Sequence, residues 1–181
     1  MGKRCQVICL PTRQITLPFI KKVSYNHLLI EDEGSNIGTI YIPEVIKHKS
    51  SESKIVILRA LLEDRINISL QSYVIDMSEK FNIQDIENGF ENFSNYWLNS
   101  LFKIQKRLGG LRYKSLLNQL NIALKNHKKN HNLNDYLPLI ESLLVDYYDP
   151  MYNYQISSKK QRIVFEGNSQ EVTEFLQEFK S

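Results

Sequence analysis

The residues best suited to chemistry in this chain are cations rather than nucleophiles. Lys106-Arg107-Leu108-Gly109-Gly110-Leu111-Arg112 sets three positive side chains around two glycines, with Lys114 close behind. Glycines let a backbone approach a ligand closely, and guanidinium forks match the oxygens of a phosphate. The same residues also suit a solvated helix end whose cations offset the negative pole of the helix. Their setting bears on the choice. Between Asn92 and Asn134 there is no Asp or Glu, whereas Lys103, Lys106, Arg107, Arg112, Lys114, Lys125, Lys128 and Lys129 supply eight positive charges. In a chain of net charge +3 that is a local positive field of the kind a polyanion requires.

Two further groups carry potential chemistry. His27-Leu28-Leu29-Ile30 is a short apolar run that ends in Glu31, Asp32 and Glu33. Acids at the end of a buried strand can orient magnesium in nucleotide-binding α/β proteins, so Glu31 and Asp32 are candidates for part of such a site. The plainer alternative is a buried strand emerging into solvent. Asp146-Tyr147-Tyr148-Asp149-Pro150-Met151-Tyr152-Asn153-Tyr154-Gln155 is aromatic and turn-rich. Tyr148 and Tyr152 are candidates for stacking on unpaired bases. Tyrosines that pack a helix end onto its neighbours are the alternative.

Other chemistries are excluded by spacing. Gly34-Ser35-Asn36-Ile37-Gly38 lacks the lysine and the length of a phosphate-cradling loop. Cys5 and Cys9 have no second cysteine pair to complete a metal site, and His27 and His48 have no ligand-like spacing. His127 and His131 stand four apart without the glutamate and third ligand of a zinc-protease helix. No Ser/His/Asp or Cys/His arrangement stands out, so no catalytic residue and no metal ligand is assigned. Two cysteines are too few for a disulfide framework and point to a reducing, cytoplasmic setting. The first ten residues hold only a fragment of an apolar core before Pro11, so no secretory leader is expected.

Elements able to position these groups are legible in the apolar pattern. At 181 residues, 42% apolar and with a mean hydropathy of −0.35, the chain has the make-up of a soluble domain with a real core. Residues 1–26 show no sustained period and are left unassigned. Strands are expected near His27–Glu33, Thr39–Ile42 and Lys54–Leu58, with a helix opened by Pro43. Four amphipathic helices follow. The first presents Leu62, Ile66, Leu70, Tyr73 and Met77. The second presents Ile86, Phe90, Phe93, Trp97, Leu101, Ile104 and Leu108, and should end at Gly109-Gly110. The third presents Tyr113, Leu117, Leu120 and Leu124. The fourth presents Leu137, Ile140, Leu144 and Tyr147, and should stop at Asp149-Pro150. A last strand (Arg162–Phe165) and a closing helix (Glu171–Phe179) complete an α/β domain spanning 27–181, with a helical bundle inserted at about 61–148.

In this order the pieces resemble the C-terminal part of bacterial tRNA 2-selenouridine synthase. The matching residues are Ile30-Glu31-Asp32-Glu33-Gly34 with Ile37-Gly38, Pro43-Glu44, Glu63 and Arg65. They continue with Lys106-Arg107-Leu108-Gly109, Arg112-Tyr113, Tyr147-Tyr148-Asp149-Pro150-Met151-Tyr152 and Tyr154-Gln155, and finish with Ile163-Val164-Phe165-Glu166-Gly167 and Glu171-Val172. The resemblance implies a transferase that replaces sulfur by selenium at the 2-position of a modified wobble uridine, using selenophosphate and passing through a geranylated intermediate derived from geranyl diphosphate. It implies an N-terminal rhodanese-like domain with the catalytic cysteine, and a P-loop domain followed by helices. The chain departs from that pattern. Neither the rhodanese-like domain nor the P-loop is present, Cys5 and Cys9 lie outside the matching region, and Ser35 stands where a basic residue is expected.

The expected protein is therefore an incomplete P-loop-NTPase-like parallel sheet with an appended helical bundle. Its expected role is tRNA binding through Lys106, Arg107, Arg112, Lys114, Tyr148 and Tyr152, with no cofactor of its own and no membrane contact. A separate rhodanese-like and P-loop chain would supply selenium exchange. A non-catalytic truncated remnant, or a stand-alone RNA-binding module, is the alternative.

Overall fold

Why the chain buries some apolar runs on every side and others on one stripe is clear from the computed structural model, which describes residues 5–11, 27–31, 36–37 and 40–178. Two compact units are distinguished, residues 1–61 with 154–181 and residues 62–153.

The first unit is built on a four-stranded sheet of order β2-β1-β5-β6, from β1 (Cys5–Pro11), β2 (His27–Glu31), β5 (Ile55–Leu58) and β6 (Ile163–Gly167). A separate two-stranded ribbon pairs β3 (Asn36–Ile37) with β4 (Ile40–Tyr41). Strand β1 lies within the first 26 residues, where the sequence pattern assigns no element. The sheet is mixed rather than parallel: β1 runs antiparallel to both β2 and β5, and the parallel pairing is confined to β5 and β6. Parallel neighbours need a long crossover. Here it is the whole stretch from residue 59 to 162, which contains the second unit. Ile55, Val56 and Ile57 are at most 2% exposed, the all-round burial a continuous apolar run implies. Ile156 packs against Ile55 and Ile57.

Local hydrogen bonds fix the ends of this unit's helices. Pro43 precedes α1 (Glu44–Glu52), and its carbonyl accepts from Ile46 and Lys47 at 2.9 and 3.1 Å. Arg162 Nη1 donates to the carbonyls of Ser50 and Ser53 at 2.6 and 3.1 Å, satisfying the frayed end of α1. At the start of α9 (Ser169–Glu178), Asn168 Oδ1 accepts from the amides of Gln170 and Glu171, and Glu171 Oε2 accepts from the Asn168 amide, a reciprocal capping box.

The second unit is helical: α2 (Leu62–Leu70), α3 (Asp76–Gln84), α4 (Gly89–Lys103), α5 (Gln105–Leu108), α6 (Gly110–Asn130), α7 (Tyr136–Leu143) and the start of α8 (Asp149–Ser157). Its core holds Val74, Phe93, Trp97, Leu101, Leu108, Leu116, Leu120, Tyr136, Leu139, Ile140 and Leu144. Phe93, Trp97, Leu101 and Leu108 follow the expected stripe, but Ile86 lies before α4 and is 91% exposed. The expected single helix also breaks at Ile104, whose φ of −98° and ψ of 1° leave the helical basin. Two wide five-residue turns of π-helix interrupt the others, Gln71–Ile75 between α2 and α3 and Leu144–Tyr148 between α7 and α8.

Pro150 does not stop the helix, contrary to the expectation from Asp149-Pro150. In an α-helix its ring would collide with the carbonyl of Asp146, four residues back. The wide turn relieves that collision: the Asp149 amide bonds the Leu144 carbonyl, five residues back, and the chain continues into α8.

Among the described residues of this unit Arg65, Ser69 and His127 are buried polar groups, and two of them carry charge or titrate. Arg65, 1% exposed, donates from Nη1 and Nη2 to both carboxylate oxygens of Asp149, at 3.1 and 2.6 Å. Stripping one partner from a buried pair leaves a charge without its counter-ion, so Asp149→Ala is expected to cost about 3–5 kcal/mol, measured by denaturant unfolding. His127 is edge-on to Phe90, Phe93 and Tyr136, with Nδ1 3.1 Å from the Tyr136 hydroxyl. Burial first, and then the charge of His131, holds its pKa below the ordinary 6.5. Below pH 6.5 the unfolded chain therefore binds a proton that the folded chain resists, and stability falls as pH drops through that window. His127→Gln is expected to flatten this acid slope of the unfolding midpoint.

Candidate nucleic-acid interface

The junction of α5 and α6 is a single glycine. Gly109 has φ of 78° and ψ of 161°, a conformation that L side chains rarely adopt, and Gly110 then opens α6. The expected left-handed glycine cap is thus a hinge into a new helix. Leu108 is buried and pins the junction to the core, while Lys106, Arg107, Arg112 and Lys114 are all exposed.

The two arginines meet adjacent residues of the same turn. Arg107 Nη1 donates to the Tyr147 hydroxyl at 3.3 Å, and Arg112 Nη1 donates to the Asp146 carbonyl at 3.2 Å. Both acceptors belong to the wide turn Leu144–Tyr148, and both are neutral. A guanidinium anchored this way is oriented without having its charge cancelled. Within the turn Tyr147 and Tyr148 are edge-to-face at 4.9 Å, and Tyr148 stacks with Tyr152 of α8 at 6.4 Å and 25°. Tyr148 and Tyr152 are half-buried, and Tyr148 packs against the helical core. Burial first, reinforced by Tyr147, pushes the Tyr148 phenol up and keeps it neutral.

The acid-free stretch does not make one patch. Lys125, Lys128 and Lys129 lie on the last turns of α6, and Lys129 is roughly 25 Å along the helix from Arg112 at 1.5 Å per residue. The cations of the junction form a group of their own.

Glu31 closes β2, and its side chain lies outside the described residues, as does Asp32 altogether. Cys5 and Cys9 stand on β1, with side chains likewise undescribed. Among the described residues no cluster of three or more His, Cys, Asp or Glu could hold a metal, and no helix is long and apolar enough to cross a membrane. Sequence spacing missed the anchoring partners. The Asp146 carbonyl carries no side-chain signal, and Arg65 and Asp149 are 84 residues apart.

A helix-rich α/β chain with a small sheet, and a basic helix junction clamped onto a widened turn, defines the class. The family model described as the tRNA 2-selenouridine synthase AAA domain matches residues 13–181. The chain belongs to the tRNA 2-selenouridine synthase AAA domain family. It is 40% identical over 160 residues to the tRNA 2-selenouridine synthase of Sulfurovum sp. (strain NBC37-1), covering 86% of this chain and 43% of that one. To the tRNA 2-selenouridine synthase of Marinobacter nauticus it is 39% identical, covering 82% and 41%. To that of Bordetella petrii it is 34% identical, covering 91% and 45%. The chain thus spans less than half the length of these curated relatives. No solved structure matches it.

The junction makes a sharp distinction between its two glycines. A Cβ at either position would meet nothing within 4 Å, so only backbone conformation separates them. Gly109→Ala is expected to cost about 1–3 kcal/mol through its positive φ. Gly110→Ala, on the first turn of a helix, is expected to be neutral or to stabilise by up to about 1 kcal/mol. Thermal melts of the two variants compare them directly.

Proposed function

We propose that this chain is the RNA-holding part of a tRNA 2-selenouridine synthase, and that Lys106, Arg107, Arg112 and Lys114 contact the phosphates of the tRNA. The observation that carries this reading is the convergence of two arginines from either side of Gly109 onto one turn, each held by a neutral oxygen. Oriented cations in an acid-free stretch suit a backbone of repeated negative charge, and contacts of this kind position a nucleic acid rather than read its sequence. Tyr148 and Tyr152, stacked on one another and half-buried, would offer an aromatic surface to an unpaired base.

On this reading the exchange of sulfur for selenium belongs to a rhodanese-like domain and a phosphate loop acting from elsewhere in the polypeptide or in a partner chain. Those parts would handle selenophosphate and geranyl diphosphate. Glu31, which closes β2, and Asp32, next in sequence, would be what this chain contributes to a nucleotide or magnesium site of P-loop type.

The test is filter binding of tRNA across a salt series. Reversing Lys106, Arg107 and Arg112 to Glu is expected to weaken binding and to lower the slope of log affinity against log salt by about 2–3, since each lost phosphate contact releases fewer counterions. A folded triple variant with unchanged affinity overturns the proposal.

A further inference from the structure

We infer that Arg107 and Arg112 together form a seat for one phosphate of an RNA backbone, and that Pro150 is the positioning residue that keeps this seat assembled. The inference rests on the RNA-holding reading above and deepens it, by assigning one bound group to a defined pair of side chains.

The argument starts from a missing hydrogen. In a regular helix the amide of residue 150 would bond the carbonyl of Asp146, but proline has no N–H to give. The helix accommodates the proline ring by widening, with the Asp149 amide bonded to the Leu144 carbonyl five residues back. The Asp146 carbonyl is thereby released from the bond residue 150 would have made, and Arg112 Nη1 donates to it at 3.2 Å. The next residue, Tyr147, offers its hydroxyl to Arg107 Nη1 at 3.3 Å. Two exposed guanidinium groups are thus held by adjacent residues of one turn.

Each guanidinium has five N–H donors in a planar fork. One from each goes to the turn, and the remainder are available to a ligand. Because both anchors are neutral, the pair keeps its positive charge, and the ligand that best answers two forks held by adjacent residues of one turn is a phosphate with several acceptor oxygens. The ammonium of lysine, a point charge without the fork, cannot hold an anchor and a phosphate in the same geometry. The lysines at the far end of α6 have no such turn beside them, and contribute only to the general attraction of a polyanion.

The experiment compares tRNA binding, across a salt series, by the full chain and by Pro150→Ala, Arg112→Lys and Lys129→Gln, with a thermal melt of each. Alanine at 150 supplies the amide that competes with Arg112 for the Asp146 carbonyl. Pro150→Ala is expected to melt at or above the parent temperature and yet bind tRNA about tenfold more weakly. Arg112→Lys, with its charge kept, is expected to lose a similar factor, and Lys129→Gln to stay within about twofold. If the parent chain binds tRNA and both Pro150→Ala and Arg112→Lys match it, the seat is overturned while the RNA-holding reading stands. If the parent chain does not bind at low salt, both fall. Should Pro150→Ala melt early, Arg112→Lys decides alone: weakened binding supports the seat, and unchanged binding overturns it.

Discussion

A fully buried guanidinium needs a carboxylate at a fixed place, and in the helical unit that requirement governs much of what lies around it. Arg65 sits on the inner face of α2 with both of its terminal nitrogens on Asp149. Taking a charge out of water costs several kcal/mol unless a partner of good geometry meets it, so the first residue of α8 is held against α2. Holding Asp149 in place also fixes the turn just before it, Leu144–Tyr148, whose Asp146 and Tyr147 anchor Arg112 and Arg107. The exposed basic junction, pinned to the core by Leu108, is thereby also coupled to it through this ion pair and the five-residue turn. Such a pair is weak evidence for net stability, since well-packed apolar side chains can do as well in its place. Its contribution here is geometric.

Apolar periodicity made most of the helical unit legible. Phe93, Trp97, Leu101, Leu120, Leu124, Ile140 and Leu144 are buried where the stripes placed them. Periodicity failed where the helices stop being regular. A wide turn shifts the face by a residue, so Tyr73, counted as inward, is 48% exposed while Val74 beside it is fully buried. Tyr136 and Leu139 of α7 share the regular stripe of Ile140 and Leu144, at spacings of three and four, and enter the core with them. Pro150 was read by its usual rule, as a helix stop, because the rule assumes four-residue hydrogen bonding and the turn before it uses five. Arg65 escaped as a core residue because its partner is remote in the chain.

The sheet shows the other limit. The run Ile55-Val56-Ile57 announced a strand buried on both sides, and the structure has it so. Strand direction is not written in such a run. A continuous apolar segment suits a parallel neighbour, and β5 has one in β6, but its other neighbour, β1, runs antiparallel. Nothing in the apolar pattern of residues 1–26 marks β1, since Pro11 and Pro18 punctuate a stretch too short to show a period. The parallel pair also explains why a helical unit can interrupt the sheet at all, because a crossover must exist and its length is weakly penalised.

How the cations are held separates the two ends of α6. At the C-terminal end, lysines beside a helix terminus gain from the helix dipole and stay solvated, an arrangement that needs no ligand to account for it. At the N-terminal end the helix dipole is positive, so Arg112 gains nothing from it and is held instead by a backbone carbonyl. A positive side chain kept at the positive end of a helix, beside another arginine and with no carboxylate as its anchor, stores repulsion that an anion would relieve. Relief of that kind is a differential interaction between the free and the bound protein, which is what binding free energy requires. The physical case for an anionic ligand therefore lies in the placement of Arg107 and Arg112 more than in the number of positive charges along the chain.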